Sequence, residues 1–132
     1  MAFETQKRIE TMIKNNELIL RSLLFVPGHI SKFYPKALSS DADCIVFDIE
    51  DSVPKNLKEN AIKSIKKNLN QVISKKILLV RTNHTKSKNF TSELKRTFNS
   101  KLHGYIIPKI ETNNEILRIE KLLKIIEQKN KC

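Results

Sequence analysis

All four aspartates of the chain, Asp41, Asp43, Asp48 and Asp51, fall between positions 41 and 51 of a 132-residue protein whose formal net charge is +11. Asp48, Glu50 and Asp51 follow directly on the apolar run Cys44-Ile45-Val46-Phe47. Carboxylates placed at the end of a buried strand can orient a cation, hold a metal-bound water or shuttle a proton. They can equally cap the next helix near Ser52 and pair with surface lysines. Arg81 ends a second apolar run, Ile77-Leu78-Leu79-Val80, and Asn83 follows it. A guanidinium in that position is costly unless it meets an anion. A structural ion pair with Asp48 or Glu50 would supply one, and so would a bound ligand. Lys109 follows Tyr105-Ile106-Ile107-Pro108 and either neutralises an anion or stands in solvent. Pro27-Gly28 closes the run Leu23 to Val26; it turns the chain, or lets backbone approach a ligand closely, since glycine has no Cβ. His29, His84 and His103 lack zinc spacing and read as surface or loop residues.

The elements that must carry these groups repeat. Each apolar run is short, does not alternate, and is followed by a helical period, as in a parallel sheet covered by helices. An opening helix is expected over Glu4 to Asn15, with Ile9, Met12 and Ile13 on one face. A short helix follows the first run at 32–39, with Pro35 near its start, where a missing N–H costs least. Ala61, Ile62, Ile65, Leu69 and Val72 mark a helix over 58–72, with Asn56 and Glu59 at capping-box spacing. Phe90, Leu94 and Phe98 mark a third. Thr112 and Glu115 form a capping box ahead of a last helix striped by Ile116, Ile119, Leu123 and Ile126. The expected organisation is a helical extension over residues 1–20 and one α/β domain over 21–132, made of four βα units. The polar residues stand at the C-terminal ends of the strands, which in a (β/α)₈ barrel is the catalytic face.

Composition excludes several classes. No apolar stretch approaches the ~20 residues of a membrane span, and the first twenty residues lack an apolar signal core. Cys44 lies in an expected strand and Cys132 is the last residue. They read as unpaired and non-ligating, which fits a reducing cytoplasm. Twenty lysines against five arginines, spread over helix faces without stacking aromatics, argue against a specific nucleic-acid site. The positive field suits an anionic substrate such as a carboxylate or a coenzyme A phosphate.

The segments RSLLFVPGH, DCIVFDIEDSVP, ILLVRTN and GYIIPKIE, in this order, resemble the citrate lyase β-subunit and HpcH/HpaI aldolase family, which includes malyl- and citramalyl-coenzyme A lyases. The resemblance runs from about Arg21 through the last helix. It implies the N-terminal half of a (β/α)₈ barrel, and a carbon–carbon lyase that works through an enolate with Mg²⁺. It implies that Arg81 grips a substrate carboxylate with two parallel hydrogen bonds. Glu50 and Asp51 are then the catalytic candidates; Asp48, Pro27, Gly28, Asn83 and Lys109 join Arg81 as substrate-binding candidates. A whole barrel takes ~250 residues, and the family's metal-binding glutamate and aspartate follow its fifth and sixth strands, outside this sequence. Ile110-Glu111-Thr112 imitates the glutamate motif but follows Pro108-Lys109, at the end of the fourth strand. No metal ligand is therefore assigned, with Glu111 kept as a minor candidate.

Two function classes follow. One is a truncated or split carbon–carbon lyase acting on acyl-coenzyme A or acyl-carrier thioesters of hydroxy acids, its Mg²⁺ ligands supplied from elsewhere. The other is a non-catalytic interaction module that self-associates or pairs with a second half-barrel, because half a barrel leaves two unpaired strand edges. A basic RNA-binding fragment is a third reading, disfavoured by the lack of an aromatic platform.

Overall fold

The structure, a computed structural model, describes residues 20–130. The helix expected over Glu4 to Asn15 lies outside the described residues, as does Cys132. Among the described residues, four strands alternate with four α-helices: β1 (Leu23–Pro27), α1 (Tyr34–Leu38), β2 (Cys44–Asp48), α2 (Lys58–Gln71), β3 (Ile77–Arg81), α3 (Phe90–Thr97), β4 (Gly104–Ile106) and α4 (Asn113–Asn130). The sheet is wholly parallel and its strand order is sequential, β1-β2-β3-β4. This is the expected order for part of a barrel wound by right-handed crossovers.

Register decides which side chains share a face. Val26, Phe47 and Val80 are level, and Phe47 and Val80 alternate with Ile45 and Leu78 one step below. These five join Ile62, Ile65 and Leu69 of α2 in one buried cluster. The helix turns its apolar stripe onto the sheet, as its 3.6-residue period requires. A second cluster joins Phe90 and Leu94 of α3 to Ile119 and Ile126 of α4. The opposite face of the sheet carries Phe25, Val46 and Leu79 at one level and Pro27, Asp48 and Arg81 at the next.

The ends of the helices differ from one another in how they form. Pro35 sits in the first turn of α1, as expected. Thr112 and Glu115 form their capping box: the Glu115 N–H donates to Thr112 Oγ1 at 3.3 Å, and the Thr112 N–H donates to Glu115 Oε2 at 3.0 Å. The box expected from Asn56 and Glu59 does not form. A 3₁₀ turn over Lys55–Leu57 precedes α2, which begins without a side-chain cap. Glu59 instead takes a two-pronged bond from Arg96 of α3, both distances being 2.7 Å. An arginine fork satisfies both carboxylate oxygens, where a box uses one.

Candidate functional site

The C-terminal ends of β2 and β3 meet in an ion pair. Asp48 and Arg81 are register partners. Arg81 Nε donates to Asp48 Oδ1 and Nη2 to Oδ2, each at 2.8 Å. Asp48 is fully buried and Arg81 about one-fifth exposed. The carboxylate also accepts from the Glu50 N–H at 2.9 Å, the Ser52 N–H at 3.0 Å and the Ser52 hydroxyl at 2.6 Å. Burial alone would raise its pKa, but the bonds from Arg81, Ser52 and Glu50 outweigh it and hold the carboxyl well below the usual range. The Asp48 hydrogen bond, followed by the fields of Glu50 and Asp51, raises the Arg81 pKa in turn.

Glu50 is the second buried carboxylate. Its Oε1 lies 3.6 Å from Arg81 Nε, and its Oε2 lies 3.6 Å from Lys109 Nζ. Oε2 is buried and accepts no hydrogen bond, so the Glu50 carboxylate stands between two cations, one near each oxygen, without closing on either. Lys109 reaches it from a left-handed backbone, φ 57°. That conformation costs a lysine about 1–2 kcal/mol and turns the chain as it leaves β4. The Ile49 and Glu50 carbonyls accept from Lys58 Nζ of α2, both at 2.7 Å. One lysine of this basic chain is thus spent holding the carboxylate-bearing turn.

The remaining candidates separate. Asp51 is exposed at the turn and touches Arg81 only through its field. Gly28 is buried, its N–H donating to the Asp48 carbonyl at 2.8 Å. A Cβ there would stand 2.5 Å from that oxygen and 2.9 Å from Ile65 Cδ1. The close approach that requires glycine is therefore to β2 and α2. Pro27 lies level with Asp48. Asn83 is buried with its side chain committed elsewhere: its amide nitrogen donates to Glu93 Oε1 of α3, and its backbone N–H donates to Glu93 Oε2 at 3.0 Å. Glu111 is exposed and lines a rim pocket of about 250 Å³ with His84, Lys86, Lys109 and Glu115. His103, in the loop ahead of β4 as expected, ties that loop to β3, its Nδ1 accepting the Leu78 N–H at 3.1 Å.

Sequence reasoning missed three contributors. Phe25 lies under Arg81, the guanidinium carbon 4.7 Å from its ring centroid. Ser52 supplies two of the bonds to Asp48. Glu93 is fully buried, and burial raises its pKa against the opposing bonds from Asn83. An acid among Phe90, Leu94 and Thr97, on the apolar face of a helix, was the available signal.

The donor set does not make a magnesium site. Both Asp48 oxygens are occupied, Glu50 offers one free oxygen, and among the described residues no three His, Cys, Asp or Glu side chains converge. Divalent magnesium favours octahedral oxygen ligation around carboxylates.

A parallel sheet in sequential order, with its charged cluster at the strand C-termini, is the construction of half a β/α barrel; in barrel enzymes that end of the strands is the catalytic face. The HpcH/HpaI aldolase/citrate lyase family matches residues 21–131, and the chain belongs to that family. The citrate lyase subunit beta of Escherichia coli (strain K12) is 30% identical over 109 residues, covering 82% of this chain and 36% of that protein. The (3S)-malyl-CoA thioesterase of Cereibacter sphaeroides is 28% identical over 104 residues, 78% of this chain and 36% of that one. The chain thus spans little more than a third of these relatives. In fold, it resembles the protein CitE of Mycobacterium tuberculosis in complex with magnesium and pyruvate, with TM-score 0.65 and 19% identity over 77% of this chain and 42% of that one. It also resembles the malate synthase lead(II) complex of Haloferax volcanii, with TM-score 0.68 and 16% identity over 82% of this chain and 36% of that one.

Proposed function

We propose that the chain is the N-terminal half-barrel of a carbon–carbon lyase acting on coenzyme A or acyl-carrier thioesters of hydroxy acids, completed by a second half-barrel joined in the same polypeptide or supplied by another. The observation that carries this reading is the state of Arg81. Asp48 takes Nε and one proton of Nη2, while Nη1 has no partner among the described residues. The guanidinium therefore keeps an Nη1–Nη2 edge that fits one carboxylate with two parallel bonds. Pyruvate is in the CitE complex, and a small keto acid of that class is what such an edge would hold. Asp48 fixes one edge of the guanidinium and its charge. Glu50, buried with an open oxygen, is the group in place to take or return a proton, with Lys109 beside it to offset the charge that builds up. In the complete enzyme Mg²⁺ would polarise the keto oxygen and stabilise the developing enolate. Its ligands would belong to the second half.

The test is to complete the barrel with the C-terminal half of a relative and measure cleavage of malyl- or citramalyl-coenzyme A. Arg81→Lys keeps the charge but loses the fork. It should weaken keto-acid use by about 2 kcal/mol or more, since bonds to charged groups contribute ~1.5–3 kcal/mol each. Full activity of Arg81→Lys in an unchanged fold would make Arg81 structural and end this reading.

A second reading, a non-catalytic module that self-associates or pairs with another half-barrel, rests on the apolar side chains left open at both ends of the sheet. Leu23, Leu24 and Phe25 on β1, with Phe33 beside α1, are exposed at one end; Ile110, Ile116 and Leu117 are exposed at the other. Edges of this kind invite another chain.

A further inference from the structure

Arg81 is held on two sides. Asp48 grips the Nε–Nη2 edge, and the guanidinium carbon lies over the Phe25 ring, 4.7 Å from its centroid. Pro27, Asp48 and Arg81 are level in the sheet, and Phe25 lies two residues below Pro27 on β1. The arginine therefore reaches across the whole of β2 and leans down to find the ring. Phe25 is 42% exposed, although Val46, its partner at the same level on the same face, is completely buried. A large aromatic ring thus stands open beside the charged cluster with a cation on its face.

The two supports act on different freedoms. The carboxylate fixes one edge of the guanidinium and sets the direction in which the opposite edge points. It does not by itself fix the tilt of the plane, since hydrogen bonds to a carboxylate tolerate a broad range of out-of-plane angles. The ring face opposes that tilt and strips water from one side of the cation, which strengthens its remaining bonds. We propose that Phe25 is a positioning residue of the site, whose ring holds Arg81 so that its free Nη1–Nη2 edge meets the carboxylate of a small keto acid in plane. This deepens the proposed function and rests on its reading of Arg81 as the carboxylate holder.

The experiment compares the full chain with Phe25→Tyr and Phe25→Leu. Far-UV circular dichroism and thermal melts establish that all three are folded alike. Two readouts follow: the Arg81 side-chain Nε–H resonance in the free protein, and pyruvate affinity by calorimetry. A ring-current shift of the Arg81 resonance is expected in the wild type and Phe25→Tyr and is lost in Phe25→Leu. Pyruvate binding should stay within about twofold in Phe25→Tyr and weaken roughly three- to tenfold in Phe25→Leu, the range of a cation–π contact at a part-exposed to desolvated site. Equal affinity in the wild type and Phe25→Leu overturns the role, and so does an equal loss in both variants, since Phe25→Tyr keeps the ring face. A wild-type resonance without the shift overturns the placement itself. If the shift is present but the wild type takes no pyruvate, the carboxylate reading of Arg81 fails, and Phe25 has nothing to position.

Discussion

At the scale of single residues, Asp48 is the side chain on which most depends. It is fully buried, and five hydrogen bonds converge on its two oxygens. Removing one member of a buried pair leaves the other uncompensated, which costs about 3–5 kcal/mol. Arg81 is part-exposed and can rehydrate, so Asp48→Ala should cost near the low end, about 3 kcal/mol, read from urea melts. The same geometry sets the acid response. The Asp48 pKa is lower in the folded chain than in the unfolded one. Its contribution is therefore complete above the ordinary carboxylate range, near pH 4, and declines as the pH falls below it towards the depressed folded value. Glu93 acts in the opposite sense. Its folded pKa is raised by burial, so its ionisation costs stability as the pH rises through that value. Asp48→Ala should flatten the loss of stability below pH 4, and pH-dependent melts of the two chains would show it.

The elements place these residues by fitting closely. Gly28 lets the end of β1 lie against the Asp48 carbonyl and Ile65 of α2. Gly28→Ala must push β1 from β2 or α2 from the sheet. It should cost about 1–3 kcal/mol as an overpacked site, and should disturb the Asp48–Arg81 pair although it touches neither side chain. The start of α4 offers a separate handle. Glu115 accepts from the Glu111 and Thr112 N–H groups and from the Thr85 hydroxyl, so it joins the cap of α4 to the loop after β3. These bonds, led by that from the Glu111 N–H, hold its pKa down at about 2. The cap should be intact above about pH 4 and lost as the pH falls through about 2. The Glu111 and Thr112 amides should lose their hydrogen-exchange protection over that window while the amides of β2 keep theirs.

For the whole molecule, the decisive feature is a half-barrel sheet in which, among the described residues, β1 and β4 are edge strands. Parallel sheets are ordinarily buried on both faces, and this one presents Leu23, Leu24 and Phe25 at an edge strand. Sedimentation should show self-association that weakens in Leu24→Lys, because a charge on an exposed edge discourages pairing. A monodisperse monomer at tens of micromolar would remove the basis for the interaction module. Purified chain without a second half-barrel should give no Mg²⁺-dependent cleavage of malyl- or citramalyl-coenzyme A. The enolate needs charge stabilisation, and the described residues hold no converging set of metal donors. Turnover by the unaided chain would contradict this and would return Glu111 to consideration as a ligand.

Much of this protein could be read before it was folded. Non-alternating apolar runs, each closed by polar residues and followed by a helical period, were enough for the four βα units, because burial on both faces of a parallel sheet leaves that pattern directly in the chain. The cap of α4 was legible because Thr112 and Glu115 act locally. The position of Arg81 at the end of an apolar run was enough to demand an anion. Only the tertiary structure decided which anion answers it. The sheet register sets Asp48 level with Arg81 and leaves the Glu50 oxygens at 3.6 Å from either cation. The same long-range geometry drew Asn83 away to Glu93, took Glu59 from its cap to Arg96, and put Phe25 beneath the guanidinium. Local pattern records what each residue requires, burial or a partner. Which partner it finds depends on register and on helix docking, and these are fixed by contacts between residues far apart in the chain.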